Sequence, residues 1–348
     1  MRAAVRRRRA LARHESALLH VSAHARPTAP LAAVIALLAL VSGCAGSTSS
    51  TPGSAGSPGS PSTQATPANA TLQHVVIIIE ENKPSSAVIG NTAAPYLNGL
   101  ATNYSVAANY SAVSHPSLPN YLAITSGGTA GISSDCNPPG GSCLASVANI
   151  TDEIVTTGRT WKMYAESMPA PCDPYNSGEY AVKHNPFLYY PKVTRDRAYC
   201  AAHDVPYSQF GQDLATTTTL PDYSFISPNL CNDMHDCPVA TGDQWLAREV
   251  PHILQSPAFT QQNSLLIVTF DEGDGSTNTV ACIFAGPAAK RGFTSATAYT
   301  HYSILRTLEV DWGLRSLTRN DATATPMTAM LSGPDKTPPQ NTPGGMLR

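Results

Sequence analysis

The amino-acid sequence predicts an α/β fold in which a parallel-rich sheet is covered by helices on both sides. Four apolar runs rich in β-branched residues are typical of strands that are buried on both faces. Stretches with the spacing of helices lie between these runs, and strands that alternate with helices favour a parallel sheet. Ligands of such sheets bind at the carboxyl ends of the strands, so the residues that follow each strand are the first candidates for function.

The predicted strands share a nearly continuous apolar sequence and are His74 to Glu80, Asp222 to Ser227, Ser264 to Asp271 and Thr279 to Ala285. The predicted helices share a helical repeat and are Pro119 to Thr125, Val147 to Thr156, Gln244 to Leu254 and Tyr302 to Leu314. Residues 134–219 are richer in Pro, Tyr and Cys, and their weak periodicity indicates a disulfide-pinned insertion over the edge of the sheet. We expect one folded domain over residues 71–332 and a disordered tail over residues 333–348.

The N-terminal region has the organisation of an export signal. Arginines at positions 2 and 6–9 precede an eleven-residue apolar run, Leu31 to Val41, which is too short to span a bilayer but suits a signal peptide. The run leads into Ser42-Gly43-Cys44, which resembles the cleavage box of bacterial lipoproteins. Residues 1–43 are therefore a predicted lipoprotein signal peptide, with Cys44 as the lipidated first residue. An ordinary signal peptide with a cysteine there by chance is the alternative.

A polar, uncharged segment follows the predicted signal. Residues 45–70 contain 19 Gly, Ser, Pro or Thr among 26 residues and no charged side chain. Such a composition buries almost no apolar surface and is typical of a flexible linker, which we assign to residues 44–70. The sequence thus predicts an exported domain that is tethered to a membrane through its lipid anchor, or secreted.

The charge of the remaining chain limits its partners. Only 13% of the residues are charged, and the formal net charge of −2 includes seven arginines and one glutamate of the predicted signal. Without them, 15 basic and 23 acidic residues remain, a net charge of −8. A chain this acidic is a poor nucleic-acid binder, so we expect no nucleic-acid partner. An anionic substrate would need a local cation, and we expect the domain to be a monomer.

Seven cysteines remain after Cys44, and in an exported protein they suggest disulfides. The suggested pairs are Cys136 with Cys143, Cys231 with Cys237 and Cys172 with Cys200. Cys282 lies within an apolar run and would stay a buried free thiol. A zinc site is the alternative, although no two of these cysteines form a Cys-x-x-Cys motif. The pairing stays open at this point.

Acidic residues follow two of the predicted strands. Glu80-Glu81-Asn82 ends the first strand, and Asp271-Glu272-Gly273-Asp274-Gly275 ends the third. Carboxylates at the end of a buried strand are costly to desolvate unless a cation lies beside them. Since both strands belong to one sheet, the two clusters are explained together as oxygen ligands of one divalent cation. A solvated loop is the alternative for either cluster alone.

A proline-rich turn is the third candidate element. In the segment Ser114-His115-Pro116-Ser117-Leu118-Pro119-Asn120-Tyr121 the prolines restrict the backbone, and Pro119 suits the first turn of a helix. Ser117 would then lie at a helix N-terminus, where free amides and the helix dipole favour an anion such as phosphate. A serine in this position can also be no more than a helix cap.

These segments together resemble the bacterial phosphoesterase family, which includes acid phosphatases and phospholipases C. The resemblance is carried by Glu81-Asn82, by residues 114–122, by Lys183-His184-Asn185-Pro186-Phe187 and by Asp271-Glu272. It covers roughly Gln73 to Leu314 and is strongest to short secreted acid phosphatases, one of which acts on phosphoinositides. It implies the alkaline-phosphatase-like fold, a three-layer α/β/α sandwich.

The resemblance implies one divalent metal ion and a set of ligands for it: Glu81, Asn82, Ser117, Asp271 and Glu272. Ser117 would also be the nucleophile, and Asn120 would contact a phosphoryl oxygen. The oxygen ligands favour Ca²⁺ or Mg²⁺, while histidines nearby leave Zn²⁺, Mn²⁺ or iron open.

Histidines complete the implied site. His184 and His235 match residues that bind phosphate or transfer protons in the family, while His301 falls on a family motif with a less defined role. Lys183 would add positive charge for the substrate, and we place it with His301 as substrate-binding residues. If His184 or His235 acts as a protonated acid, activity should favour mildly acidic pH, because free imidazole titrates near ~6.5.

The predicted function is an exported, metal-dependent phosphomonoesterase, an acid phosphatase that works through a phosphoserine intermediate. Its predicted substrates are small phosphomonoesters or phosphoinositide lipids. A phospholipase C-type phosphodiesterase with the same nucleophile is the first alternative, although its family members resemble longer chains. A lipoprotein that binds phosphate or another ligand without catalysis is the second.

Overall fold

An eight-stranded sheet organises the residues that this computed structural model describes, which are 71–275 and 278–333. The predicted signal peptide (1–43), the linker with Cys44 (44–70) and the predicted tail after Gly333 lie outside the described residues. The strands, in chain order, are β1 (Val75–Glu80), β2 (Ser105–Ala107), β3 (Tyr110–Ser111), β4 (Trp161–Ala165), β5 (Asp204–Pro206), β6 (Tyr223–Ser227), β7 (Leu265–Phe270), β8 (Cys282–Ala285), β9 (Phe293–Ser295) and β10 (Tyr299–Thr300).

The strand order of the sheet is β5-β4-β6-β1-β7-β8-β2-β9, and β10 pairs with β3 in a separate two-stranded sheet. Every neighbouring pair from β5 to β7 is parallel, while β8 runs antiparallel to both β7 and β2. The predicted parallel-rich sheet is therefore confirmed, with β1 near its centre.

Helices cover the sheet. The α-helices, in chain order, are α1 (Ser85–Val88), α2 (Pro95–Asn103), α3 (Ser117–Ser126), α4 (Ile150–Thr156), α5 (Pro191–Thr194), α6 (Arg197–His203), α7 (Phe210–Asp213), α8 (Val239–Gln255), α9 (Pro257–Gln261), α10 (His301–Trp312) and α11 (Arg319–Thr323). Helix α2 packs against α8, while α3 packs against α10. Among the described residues, no helix combines the length and apolar content needed to cross a bilayer.

The central strands form the core of the domain. Every residue of β1, β6, β7 and β8 is buried. Because successive side chains of a strand point to opposite faces, burial of all of them requires cover on both faces. Val75 to Ile79 are completely inaccessible to solvent, and each such aliphatic side chain stabilises the fold by about 1.5–3 kcal/mol. This arrangement confirms the predicted α/β architecture.

The segment 134–219 differs from the predicted insertion over the sheet edge. It contributes β4 and β5, which extend the sheet beyond β6. Strand β5 has only three residues, and β4 contains a lysine and no β-branched residue, so neither shows as a buried strand in the sequence.

All three suggested disulfides are confirmed: Cys136–Cys143, Cys172–Cys200 and Cys231–Cys237. Cys282, in β8, is a buried free cysteine as predicted. The disulfides account for six of the seven cysteines that follow Cys44 and leave the alternative of a cysteine zinc site without ligands.

Candidate active site

The two acidic strand ends meet at one edge of the sheet. Strands β1 and β7 are parallel neighbours, and their register pairs Glu80 with Phe270, so Glu81 and Asp271 follow adjacent strand ends. The Asp271 amide donates to the Glu80 carbonyl at 2.9 Å, and Asp271 Oδ1 accepts from the Asn82 amide at 3.0 Å. The predicted convergence of these clusters is confirmed.

Helix α3 brings Ser117 to this edge. Ser117 is the first residue of the helix and is buried, and its hydroxyl donates to Glu81 Oε2 at 3.1 Å. Tyr121 lies one turn further on the same face, as residues four apart on a helix do. Its hydroxyl donates to Glu81 Oε1 at 2.5 Å, so one helix fixes both oxygens of the Glu81 carboxylate.

The backbone turns sharply after Glu81. Asn82 has a φ of 53°, in the left-handed region that asparagine tolerates better than most residues. Its side-chain amide donates to Glu81 Oε2 at 3.2 Å. Glu80 does not join this group, since adjacent residues of a strand point to opposite faces. Both Glu80 oxygens are buried and without a hydrogen-bond partner among the described residues, and burial raises the pKa of this carboxyl well above its usual value.

Glu272 lies to one side of the predicted ligand set. Its Oε2 is 2.7 Å from His115 Nδ1 and 3.5 Å from the Asn120 amide nitrogen. Burial, with the charges of Asp271 and Asp135, raises its pKa to about 8. The contacts thus bring Glu81, Asn82, Ser117 and Asp271 together, while the Glu272 contacts face the proline turn.

His184 lies near Glu81 Oε1, whereas Ser117 contacts Glu81 Oε2. Its Nε2 is 3.2 Å from Glu81 Oε1, its Nδ1 is 3.2 Å from Asp233 Oδ2, and its ring stacks on Tyr121. Burial and the neighbouring Lys183 charge lower the pKa of His184 to about 3. Neither carboxylate contact has hydrogen-bond geometry, so His184 Nε2 and Asp233 Oδ2 lack a hydrogen-bond partner among the described residues.

His235 and Lys183 form the more open side of the site. The His235 ring lies 5.7 Å from the His184 ring, its Nδ1 is 2.7 Å from Asp236 and its Nε2 is 3.3 Å from Lys183 Nζ. Burial alone would lower the pKa of Lys183, but Asp135 and the carboxylates behind it raise the pKa overall. Lys183 is therefore a charged group beside an imidazole.

Two of the sequence-predicted residues serve as supports behind the site. Asn120 is fully buried; its Oδ1 accepts from the amides of Val113 and Ser114, and its Nδ2 donates to two carbonyls of the proline turn. His301 is also fully buried, with Nδ1 at 2.9 Å from the Tyr110 hydroxyl and Nε2 at 2.5 Å from the Asp271 carbonyl. The predicted direct contacts of Asn120 and His301 with substrate do not fit this burial, because their polar atoms already have protein partners.

Three contributing residues have no assigned role in the site predicted from the sequence. Tyr121 donates a hydrogen bond to Glu81, Asp233 lies 3.2 Å from His184, and Asp135 contacts Lys183. Tyr121 follows the nucleophile candidate by one helical turn, so helix periodicity could have identified it. Asp233 is two residues from His235 in a disulfide loop, and Asp135 precedes Cys136. No sequence pattern indicates that these loops reach the sheet edge.

The arrangement fits a bound divalent cation. The carboxyls of Glu81 and Asp271 are fully buried, and their pKa values are raised first by burial and, for Glu81, next by the Asp271 charge. Asp271 Oδ2 has no hydrogen-bond partner among the described residues. A cation would compensate this buried negative charge. Ligand atoms of Glu81, His184 and His235 lie within 4.8 Å of one another, so two imidazoles stand beside the oxygen donors.

This donor set bears on the choice of metal. Carboxylate, amide and hydroxyl oxygens suit Ca²⁺ or Mg²⁺, whereas imidazole nitrogens suit Zn²⁺, Mn²⁺ or iron. The proximity of His184 and His235 weakens the preference for Ca²⁺ or Mg²⁺ that the oxygen ligands alone would give.

Comparisons with known proteins identify the family of this chain. The model of the Phosphoesterase family matches residues 90–315. A phosphatidylinositol-3-phosphatase of Mycobacterium tuberculosis is 38% identical over 247 residues, which are 70% of this chain and 78% of that protein. A phosphate-repressible acid phosphatase of Penicillium chrysogenum is 36% identical, with 66% of this chain and 57% of the relative covered. An acid phosphatase of Aspergillus niger is 31% identical, with 73% and 62% covered.

The matches thus span most of the mycobacterial relative but about three fifths of the fungal ones. A solved structure of an alkaline phosphatase superfamily protein from Vibrio parahaemolyticus is 10% identical and covers 69% of this chain and 66% of that one, with a TM-score of 0.48. The family match includes Ser117, Asp271 and most of the sheet. The chain belongs to the phosphoesterase family.

Proposed function

We propose that this protein is a metal-dependent phosphomonoesterase that transfers the phosphoryl group of its substrate to Ser117 and then to water. The observation that carries the proposal is the contact between the Ser117 hydroxyl, at the N-terminus of α3, and the Glu81 carboxylate beside Asp271. A nucleophile, a cation site and a helix N-terminus coincide there. The names of the relatives, acid phosphatases and a phosphatidylinositol phosphatase, support a phosphate monoester as substrate.

The metal would be held by Glu81, Asn82, Ser117 and Asp271, with His184 close to it. When bound there, a divalent cation supplies positive charge that lowers the pKa of the Ser117 hydroxyl and offsets the charge of the phosphate. The protein contributes the alignment. The Glu81 carboxylate accepts the Ser117 hydrogen bond, and the Tyr121 hydroxyl holds that carboxylate in place.

The reaction needs an acid for the leaving group. As the bond from Ser117 Oγ to phosphorus forms, the Ser117 proton passes to the Glu81 carboxylate that accepts its hydrogen bond. The bond from phosphorus to the leaving oxygen breaks, and that oxygen takes a proton. His184 is buried and has a pKa lowered to about 3, so it is neutral at mildly acidic pH and orients rather than donates. We assign the donor role to His235, which is only partly buried. Water then attacks phosphorus and gives one proton back to His235, while the bond from phosphorus to Ser117 Oγ breaks and Oγ regains the proton held by Glu81.

Lys183 and the α3 amides would bind the phosphoryl oxygens. The Lys183 ammonium is half-buried and lies 3.3 Å from His235, on the side from which substrate would enter. Charges that are fixed before the substrate arrives stabilise the transition state more effectively than mobile water does. Lys183 is therefore a substrate-binding residue in this proposal, as its place in the sequence motif implies.

The location and the lipid substrate are also proposals. The apolar run before Cys44 and the uncharged linker support export and attachment through a lipid anchor. The mycobacterial relative supports a phosphoinositide as one substrate. A domain tethered to a membrane would meet such lipids at a raised local concentration.

Parallel assays of three esters test this function. The purified protein should hydrolyse p-nitrophenyl phosphate and a short-chain phosphatidylinositol 3-phosphate, lose both activities in a chelator and regain them with one added divalent metal. It should release little diacylglycerol from phosphatidylcholine. Faster cleavage of phosphatidylcholine than of either monoester would instead support the phospholipase C alternative, and metal-independent hydrolysis would contradict the proposed site.

A further inference from the structure

A carboxylate of the protein itself lies at the N-terminus of α3. Asp135 Oδ1 accepts a hydrogen bond from the Leu118 amide at 2.9 Å, directly after Ser117. Asp135 Oδ2 accepts one from Lys183 Nζ at 3.0 Å. One donor is a free amide beside the nucleophile and the other is the cation of the site, so Asp135 makes the two contacts that a phosphoryl group bound at Ser117 would need.

The helix offers few other amides for an anion. The first four backbone nitrogens of a helix have no acceptor within it, and here they belong to Pro116 at the N-cap, Ser117, Leu118 and Pro119. Proline has no N–H, so only the amides of Ser117 and Leu118 are left to bind an anion. Asp135 occupies one of these two.

The loop that carries Asp135 is anchored. The next residue, Cys136, forms a disulfide with Cys143, and the Cys136 carbonyl accepts a hydrogen bond from the buried Tyr189 hydroxyl. Asp135 itself keeps 24% of its side chain exposed. The carboxylate is therefore held next to the helix by a fixed backbone, yet its side chain can turn towards solvent when another anion takes its place.

We propose that Asp135 is a specificity-determining residue whose carboxylate competes with the substrate for the Leu118 amide and Lys183. This inference rests on the proposed phosphomonoesterase function. A phosphate monoester can carry two negative charges, so the Leu118 amide and Lys183 attract it more strongly than they attract the singly charged Asp135 carboxylate that it displaces. A phosphodiester carries one negative charge and is attracted no more strongly than that carboxylate. Asp135 thus favours monoesters over diesters, because its carboxylate competes more effectively with a singly charged anion than with a doubly charged one.

The test compares Asp135→Ala with the wild-type chain. Removing the competing carboxylate should lower the inhibition constant of inorganic phosphate about tenfold, the effect expected for a lost charged hydrogen-bond competitor. The ratio of kcat/KM for p-nitrophenyl phosphate to that for bis(p-nitrophenyl) phosphate should fall by a similar factor. Bound metal per chain should not change. Calorimetric titration of phosphate into the metal-loaded protein should show the same gain in affinity without any turnover.

Asp213→Asn is the matched control. Asp213 Oδ2 also pairs with a lysine of similar exposure, at 2.7 Å from Lys162 Nζ. This pair joins α7 to β4 and has no part in the proposed site. This variant should leave phosphate affinity and the monoester preference unchanged. If Asp135→Ala does not fold, Asp135→Asn keeps the side-chain volume, removes the charge and should give the same direction of change.

Three results would overturn the inference. Weaker phosphate binding together with a lower kcat/KM for both esters would show that Asp135 positions Lys183 for the substrate. An unchanged affinity and ester ratio would show that the carboxylate does not compete, and loss of metal would make Asp135 part of the metal site. If the wild-type chain hydrolyses no monoester, the proposed function fails, whereas the calorimetric comparison still tests Asp135 alone.

Discussion

Glu81 links the parts of the site at the level of single residues. Its two oxygens accept hydrogen bonds from the hydroxyls of Ser117 and Tyr121, and His184 Nε2 lies 3.2 Å from Glu81 Oε1. Burial and the Asp271 charge raise its pKa well above the usual value, which shows how much a positive charge at this point would stabilise the ionised form. A hydroxyl held against such a carboxylate is a good candidate nucleophile once a cation is present.

Replacing Ser117 by alanine tests the nucleophile. We expect kcat for p-nitrophenyl phosphate to fall by at least about 10³-fold, because the variant lacks the hydroxyl at the N-terminus of α3, and the other hydroxyl that contacts Glu81, that of Tyr121, lies one turn further into the helix. Ser114→Ala is the matched control, since among the described residues the Ser114 hydroxyl donates only to the neighbouring His115 carbonyl. It should change kcat by no more than a few-fold. Near-normal turnover by the Ser117 variant would remove the phosphoserine mechanism.

The sequence predicted some of these residues better than others. Glu81, Asp271 and Ser117 could be identified because strand ends and a proline turn have clear patterns in the sequence. Asn120 and His301 were placed at the substrate because they belong to the same motifs. Their actual role, holding the proline turn and the Asp271 carbonyl, depends on which way a buried side chain points, and a motif does not specify that.

Helix α3 is the element on which the site depends most directly. It carries Ser117 and Tyr121 one turn apart, so the nucleophile and the group that orients its neighbour move together. The helix is buried along its whole length and packs against α10, which holds His301 behind Asp271. A helix fixed in this way keeps the geometry of the site without relying on a mobile loop.

Tyr121→Phe tests the positioning role of this helix. Loss of the hydroxyl that holds Glu81 should weaken metal binding about tenfold, as removal of groups behind metal ligands typically does. Tyr190→Phe is the matched control, because Tyr190 is equally buried and its hydroxyl contacts Thr125 of the same helix, away from Glu81. It should lower stability without a change in metal affinity. Titration of both variants with metal measures this effect. If Tyr121→Phe binds metal as tightly as Tyr190→Phe does, Tyr121 does not position Glu81 for the metal.

A strand or helix could be predicted where its residues form a clear apolar or helical pattern in the sequence. Strands β1, β6 and β7 and helices α8 and α10 have enough residues to show buried or helical periodicity. Strand β5 has only three residues, and β4 contains a lysine and no β-branched residue, so neither shows as a buried strand in the sequence. Their place in the sheet follows from pairing of β4 with β6 and of β5 with β4. The approach of the Asp135 and Asp233 loops to the site results from disulfides and long-range contacts, which local patterns do not contain.

At the scale of the whole molecule, buried carboxyl groups couple stability to pH. Burial raises the pKa of Glu272, Asp233 and Glu309 to about 8, whereas in an unfolded chain such groups titrate near ~4. Between these values the folded state binds more protons than the unfolded state, so the free energy of unfolding falls as the pH rises. The metal-free protein should therefore be most stable near about pH 5 and lose stability towards about pH 8.

Urea denaturation at several pH values, with chelator or with saturating metal, measures this dependence. A bound cation favours ionised carboxylates, so the metal-loaded protein should lose less stability over the same interval. Glu309→Gln is the control, because Glu309 lies in α10 beside Asp321 and outside the metal site. It should reduce the pH dependence equally with and without metal. A metal-free protein that becomes more stable from about pH 5 to pH 8 would contradict this coupling.

The most direct test is to locate the metal. Anomalous diffraction from a crystal of the protein soaked with Mn²⁺ should show one strong peak per chain at the ends of β1 and β7, about 2.0–2.6 Å from oxygens of Glu81, Asp271 and Ser117. Such a peak would place nucleophile and carboxylates on one cation. A peak elsewhere, or none at this edge of the sheet, would contradict the proposed site.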